Sequence, residues 1–242
     1  MAHPRPKTST GSQLEIDALV FDVLGTLVDE PAGIRAGIGG LDALGPTPDE
    51  SRIAGALAVW QRHIESEQRR ILDGDRPYAN SDVLDGEAAR LVAATAGVDD
   101  PAAVAALALS SRRLPPWPDS VTGLARLADR FPLIGLSNAS RTALLGVNAH
   151  AGLRWHQALS AEDVRTYKPD PAVYRLAATV TGLPPERLLM VATHAWDLRA
   201  AQAVGLRTAY VTRPVGDPPT AADRFDVYAD SLAELADRLG AS

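Results

Sequence analysis

Leu19-Val20-Phe21-Asp22-Val23-Leu24-Gly25-Thr26-Leu27-Val28-Asp29 is an apolar run that reaches a carboxylate and then turns on a glycine. A short buried strand of this kind brings Asp22 to the carboxyl edge of a sheet, where open α/β folds place their ligands. Gly25 lets the chain turn steeply and leaves Thr26 beside the carboxylate. That geometry suits a nucleophile held on a rigid element. It also suits an aspartate that merely begins a turn, and the later stretches of the chain separate the two readings.

Beyond Asp29 the alternation of strand and helix lapses, and the chain reads as helix alone. Ile53, Leu57, Trp60, Ile64 and Ile71 recur at helical spacing, with Glu65-Ser66-Glu67-Gln68-Arg69-Arg70 as a solvated outer face. A second helix starts at Ser81 and stops near Gly97; a third has Asp100 as its cap and Pro101 in its first turn. Leu114-Pro115-Pro116-Trp117-Pro118 forbids regular structure and returns the chain. The expectation is a helical cap over Asp22, residues 32–113, inserted into a core of residues 14–31 and 114–242.

From Ser120 the alternation resumes. Strands are expected at Pro132–Leu136, near His156–Leu159, at Arg187–Val191 and at Thr208–Val211, separated by helices of which the last closes the chain at Ser231–Leu239. Such a pattern implies an α/β fold, a doubly wound, mostly parallel sheet with helices on both faces.

Composition narrows the function. With 242 residues, 46% hydrophobic and 22% charged, the chain can bury a sizeable core. No apolar run approaches the ~18 residues of a membrane span. Residues 1–13 are polar and lack the apolar middle of a signal peptide, so a disordered tail and a cytoplasmic location are expected. Zero cysteine excludes disulfides, thiolate catalysis and cysteine-ligated metal. A net charge of −6 without a basic stripe gives no reason to bind nucleic acid, leaving small molecules or a second copy of the chain as partners. A homodimer stays open.

Each core strand ends in polar residues that could face Asp22: Ser137-Asn138, then Lys168 in Tyr167-Lys168-Pro169-Asp170-Pro171, then Thr193-His194-Ala195-Trp196-Asp197. Together these resemble the four motifs of the haloacid dehalogenase superfamily, in order and along essentially the whole chain. Most members are magnesium-dependent phosphatases with a second aspartate two residues after the first. Leu24 stands there in this chain, and a leucine cannot exchange a proton. Ala192-Thr193-His194 also lacks the extra carboxylate that phosphatases bring to the metal, and magnesium favours hard oxygen ligands. What remains resembles the L-2-haloacid dehalogenase branch.

That resemblance implies a hydrolytic dehalogenase, without metal or other cofactor, acting on a short 2-haloalkanoic acid through an Asp22 ester. It implies that Lys168 neutralises and orients Asp22, that Asp197 pairs with Lys168 and helps activate water, and that Ser137 and Thr26 donate hydrogen bonds to the Asp22 or substrate carboxylate. Asn138 matches a residue that receives halide, and Tyr174, Trp196 and His194 match positions close to the site. On the residues alone, Asp197 also reads as a helix N-cap. Leu24 changes a pocket wall where an aromatic is common. After Trp60 the branch places an arginine; this chain has Gln61 and then Arg62, with Arg35 as another cap arginine. The alternatives are a hydrolase using the same chemistry on a non-halogenated small acid, a magnesium-dependent phosphatase with an altered motif, and a catalytically silent binding protein.

Overall fold

The structure, a computed structural model, describes residues 15–41 and 49–241, so the predicted tail of residues 1–13 lies outside the described residues. Six strands, β1 (Ala18–Phe21), β2 (Leu133–Ser137), β3 (Gln157–Ser160), β4 (Leu188–Ala192), β5 (Arg207–Val211) and β6 (Val227–Ala229), form one parallel sheet. Its order is β3-β2-β1-β4-β5-β6. The winding direction reverses at β1, and the crevice at such a reversal is where open parallel sheets bind ligands.

The apolar run of β1 is continuous because the strand is covered on both faces. Leu19 and Phe21 pack with Leu133, Leu189, Leu124 and Leu232 on one side, while Ala18 and Val20 pack with Ile134, Met190, Tyr174 and Leu198 on the other. Each such large side chain contributes roughly 1.5–3 kcal/mol when buried.

Among the described residues, the α-helices α1 (Glu30–Gly39), α2 (Glu50–Leu72), α3 (Ser81–Ala96) and α4 (Pro101–Ala108) fall between β1 and β2. The remaining helices among the described residues, α5 (Ser120–Ala128), α6 (Arg141–Ala151), α7 (Pro171–Thr181), α8 (Ala195–Ala203) and α9 (Leu232–Arg238), cover the sheet. Gly97 and Gly152 end α3 and α6 in the left-handed conformation, with φ of 72° and 70°. No helix among the described residues is long and apolar enough to cross a membrane.

Two elements escape the sequence reading. β6 is three residues long, too short to show an alternating pattern. Helix α1 begins where Asp29 caps it, accepting the Ala32 N–H at 3.0 Å, with Pro31 in its first turn. The outer face of α2 also differs from expectation. Glu67 is 8% exposed rather than solvated, because Arg70 and Arg76 both donate to it and Arg76 reaches on to Glu87 of α3 at 2.6 Å.

Asp85 of α3 is buried with one hydrogen bond to its carboxyl, from Ser111 Oγ at 2.6 Å. Burial pushes its pKa up to about 7, against the Ser111 bond and with Glu30 adding to the rise. Since the folded pKa lies above the unfolded one, the cost is absent below pH ~4, grows as pH rises and is complete above pH ~7. Asp85→Asn keeps the acceptor and removes the charge, so it is expected to stabilise the protein by roughly 2–4 kcal/mol at pH 8. Urea unfolding at pH 8 and 4.5 checks this; a stability difference that does not shrink toward pH 4.5 contradicts it.

Candidate active site

Asp22 follows β1 directly, and its N–H still bonds to Val191 O of β4 at 2.9 Å. The chain then turns. Gly25 takes φ +78°, and a Cβ there would lie 2.6 Å from His194 Nε2, so both conformation and space require glycine. Carbonyls of the turn are tied to distant side chains: Trp117 Nε1 donates to Gly25 O at 2.9 Å, Ser120 Oγ to Leu27 O at 2.6 Å and Arg213 Nε to Thr26 O at 2.9 Å. Thr26 Oγ1 donates to Asp22 Oδ2 at 2.7 Å and accepts the Thr193 N–H at 3.0 Å. The hydroxyl therefore aligns the carboxylate and joins the ends of β1 and β4.

Lys168 lies on the loop before α7. Its Nζ donates to Asp22 Oδ1 and to Asp197 Oδ2, both at 2.8 Å. Tyr174 OH donates to Asp197 Oδ1 at 2.5 Å. The result is a buried chain, Tyr174–Asp197–Lys168–Asp22, in which Asp197 is fully buried and Asp22 is 6% exposed. Burial alone would pull the Lys168 ammonium down, but Asp197 and Asp22 overcome it and hold its pKa above the usual lysine value. Burial and the neighbouring Asp197 hold the Tyr174 phenol well above its ordinary range, so it stays a donor.

Asp22 opens into a cavity of about 440 Å³. Leu24, Asn138, Lys168, His194 and Trp196 also line it from the sheet side, and α1 and α2 line it from above. Asn138 Oδ1 accepts the Lys168 N–H at 2.8 Å, which leaves its amide N–H groups to serve the cavity. His194 Nδ1 lies 3.1 Å from Asp217 Oδ1, and its ring meets that of Trp196 with centroids 5.8 Å apart.

Of the residues singled out from sequence, Asp22, Leu24, Gln61, Asn138, Lys168, His194 and Trp196 share this cavity, with Thr26, Asp197 and Tyr174 behind it. Four readings are corrected. Ser137 is buried and its Oγ accepts the Ala139 N–H at 3.1 Å; no hydrogen bond joins it to Asp22 among the described residues. Arg62 lines a different cavity with His63 and Arg69, since one residue along a helix is a rotation of about 100°. Asp197 is not a helix cap: α8 starts at Ala195, with His194 in the cap position, and the Asp197 carboxylate points to Lys168 and Tyr174. Arg35 pairs with Glu50 instead of reaching the cavity.

Sequence reasoning missed Glu30, Glu65, Gln68 and Asp217. Gln61, Glu65 and Gln68 follow Leu57, Trp60 and Ile64 at steps of three and four along α2, so the shared face was legible in the helical period. Glu30 heads α1, and burial pushes its pKa up to about 6, opposed by His194 and reinforced by Asp22. Asp217 comes from a loop after β5, and no local pattern announces its meeting with His194.

Residues 16–205 match the family model of the haloacid dehalogenase-like hydrolases. The (S)-2-haloacid dehalogenase of Pseudomonas sp. (strain YL) is 32% identical over 205 residues, 82% of this chain and 83% of that protein. Among solved structures, a defluorinating L-2-haloacid dehalogenase is 32% identical with a TM-score of 0.84, over 93% of this chain and 96% of the other. The L-2-haloacid dehalogenase of Xanthobacter autotrophicus, solved with chloropropionic acid covalently bound, is 26% identical with a TM-score of 0.77, over 93% and 98% of the two chains.

Proposed function

Because the chain belongs to the haloacid dehalogenase-like hydrolases, and Asp22, the one aspartate lining the cavity among the described residues, is backed by a buried lysine, we propose that it is a hydrolytic dehalogenase in which Asp22 is the nucleophile. The substrate is a 2-haloalkanoate, the class named for its relatives. Residues 14–31 and 114–242 form the catalytic core, and residues 32–113 are the cap that closes the cavity from above.

The chemistry follows from the geometry. An Asp22 carboxylate oxygen attacks the carbon bearing the halogen; the new C–O bond forms as the carbon–halogen bond breaks, and halide leaves with the electron pair. Asn138 and Lys168 supply the N–H groups nearest the reacting end of the cavity. Water then attacks Cγ of the Asp22 ester, the Cγ–O bond breaks, and the 2-hydroxyalkanoate departs. One proton is left over. His194 is placed to take it, with Nδ1 turned to Asp217 and Nε2 over Gly25, which frees Asp197 for the task its contacts support, holding Lys168. Haloalkanoate and water thus become hydroxyalkanoate, halide and a proton.

The observation that carries this reading is the Asp197–Lys168–Asp22 chain, which ends in a carboxylate open to the cavity. Single-turnover reaction with excess protein in ¹⁸O-water containing EDTA tests it. The expected result is halide release with the label in Asp22 and unlabelled oxygen in the product. Label in the first-turnover product would overturn the ester. Turnover of a phosphate ester that EDTA abolishes and magnesium restores would return the protein to the phosphatases.

A further inference from the structure

Asp217 reaches the start of α8 from the loop after β5 and makes three contacts there. Its carbonyl accepts the Ala195 N–H at 3.2 Å, its Oδ2 accepts the Trp196 N–H at 3.3 Å, and its Oδ1 lies 3.1 Å from His194 Nδ1. The loop comes this close because residue 216 is glycine: a Cβ there would lie 2.1 Å from Thr193 Oγ1 and 2.5 Å from Thr193 O. Helix capping accounts for two of the contacts, since His194, in the cap position of α8, makes no side-chain cap hydrogen bond of its own. It does not account for the third. Oδ1 is turned to the imidazole.

A carboxylate only accepts hydrogen bonds, so the ring nitrogen that it faces must carry the hydrogen. In the neutral imidazole this leaves a bare lone pair on Nε2. Nε2 stands over Gly25 in the turn that follows Asp22, and His194 and Asp22 line the same cavity. We propose that Asp217 is the positioning residue of the second half-reaction: it holds His194 in the tautomer with Nε2 free to take a proton, and the pair serves hydrolysis of the Asp22 ester but not its formation. This role rests on the ester proposed above. Attack of the Asp22 carboxylate on carbon moves no proton and needs no base. In hydrolysis, Nε2 takes a proton from water as the water oxygen bonds to Cγ. The Cγ–O bond to the alkyl oxygen then breaks, that oxygen keeps the electron pair and takes the proton of the new carboxyl, and His194 releases its own proton to solvent. Asp197 is not free for this step, because it is fully buried with one oxygen on Lys168 and the other on Tyr174.

Asp217→Asn isolates the third contact. Asparagine caps a helix as well as aspartate does, and with its oxygen on the Trp196 N–H its amide N–H points at His194 Nδ1, which must then accept and leave the hydrogen on Nε2. The probe is (S)-2-chloropropanoate, followed by rapid quench for chloride and by intact-protein mass for the ester. In Asp217→Asn the first equivalent of chloride is expected within about threefold of the wild-type rate, steady turnover at least about 100-fold slower, and ester accumulating on Asp22. His194→Ala should behave alike, and the double variant should be no slower than the slower single one. Nitrogen-15 spectra of the His194 ring at pH 9, assigned by its loss in His194→Ala, should show the hydrogen on Nδ1 in wild type and on Nε2 in Asp217→Asn. A general loosening of the fold would slow the first chloride together with turnover and accumulate no ester; that result, unchanged turnover, or a wild-type ring with its hydrogen on Nε2 overturns the proposal while leaving the ester reading intact. No chloride from wild type would overturn the ester reading and this role with it.

Discussion

Asp22→Asn is expected to lower halide release by roughly 10⁴-fold or more, the scale of removing a nucleophile from a set of groups that act as a unit. The substitution preserves shape. Thr26 Oγ1 can still donate to the side-chain oxygen of residue 22, and Lys168 keeps Asp197, so the local structure has no reason to collapse. An amide, however, is a poor nucleophile and cannot form the ester. Steady-state chloride release, with Asp22→Ala measured beside it and product affinity measured on both, checks the expectation. Residual turnover within about 100-fold of wild type would mean that another group attacks carbon. Unchanged ligand affinity with no activity in wild type either would favour the silent binding protein.

Lys168→Met is expected to damage both activity and stability. Two carboxylates now share one buried ammonium; without it they face each other across a site almost closed to water. Breaking a buried ion pair by removing one partner costs about 3–5 kcal/mol. The sign with pH is definite. Burial already holds the folded-state pKa of Asp197 above its ordinary value, and loss of the cation that opposes this rise lifts it further, so the penalty is complete at alkaline pH and shrinks as pH falls and the carboxyl takes up a proton. Denaturant unfolding at pH 8 and pH 5.5 should therefore show the larger deficit at pH 8. Activity should fall by at least about 100-fold even where the variant is folded, because the charge that neutralises and aims Asp22 is gone. A variant within about tenfold of wild-type turnover would remove Lys168 from the mechanism.

The parts of this protein that its sequence foretold are those governed by local rules. Burial on both faces makes β1 a continuous apolar run, and the glycine stops after α3 and α6 stand where the left-handed turn needs them. The order of motifs made Asp22, Lys168 and Asp197 candidates for one site, and the folded chain joins them at 2.8 Å across sequence separations of 146 and 29 residues. β6 and the start of α1 escaped because three residues, or one capped turn, carry too little periodic signal.

Other features were beyond any local rule. Ser137 turns its hydroxyl to the Ala139 N–H, Arg62 rotates away from the cavity, and Glu67 is drawn inside by Arg76. The meeting of His194 with Asp217 depends on where a loop returns after β5. By itself the sequence carried the strand patterning behind the parallel sheet, and the resemblance of its motifs to those of the family made Asp22 and Lys168 candidates for one site. Only the tertiary structure decided what faces Asp22, because the angle at which α1 and α2 sit over the sheet is set by long-range packing. That angle brings Glu30, Gln61 and Gln68 to the cavity beside Asp22, leaves Arg62 on another, and sets Glu65 at the edge of both.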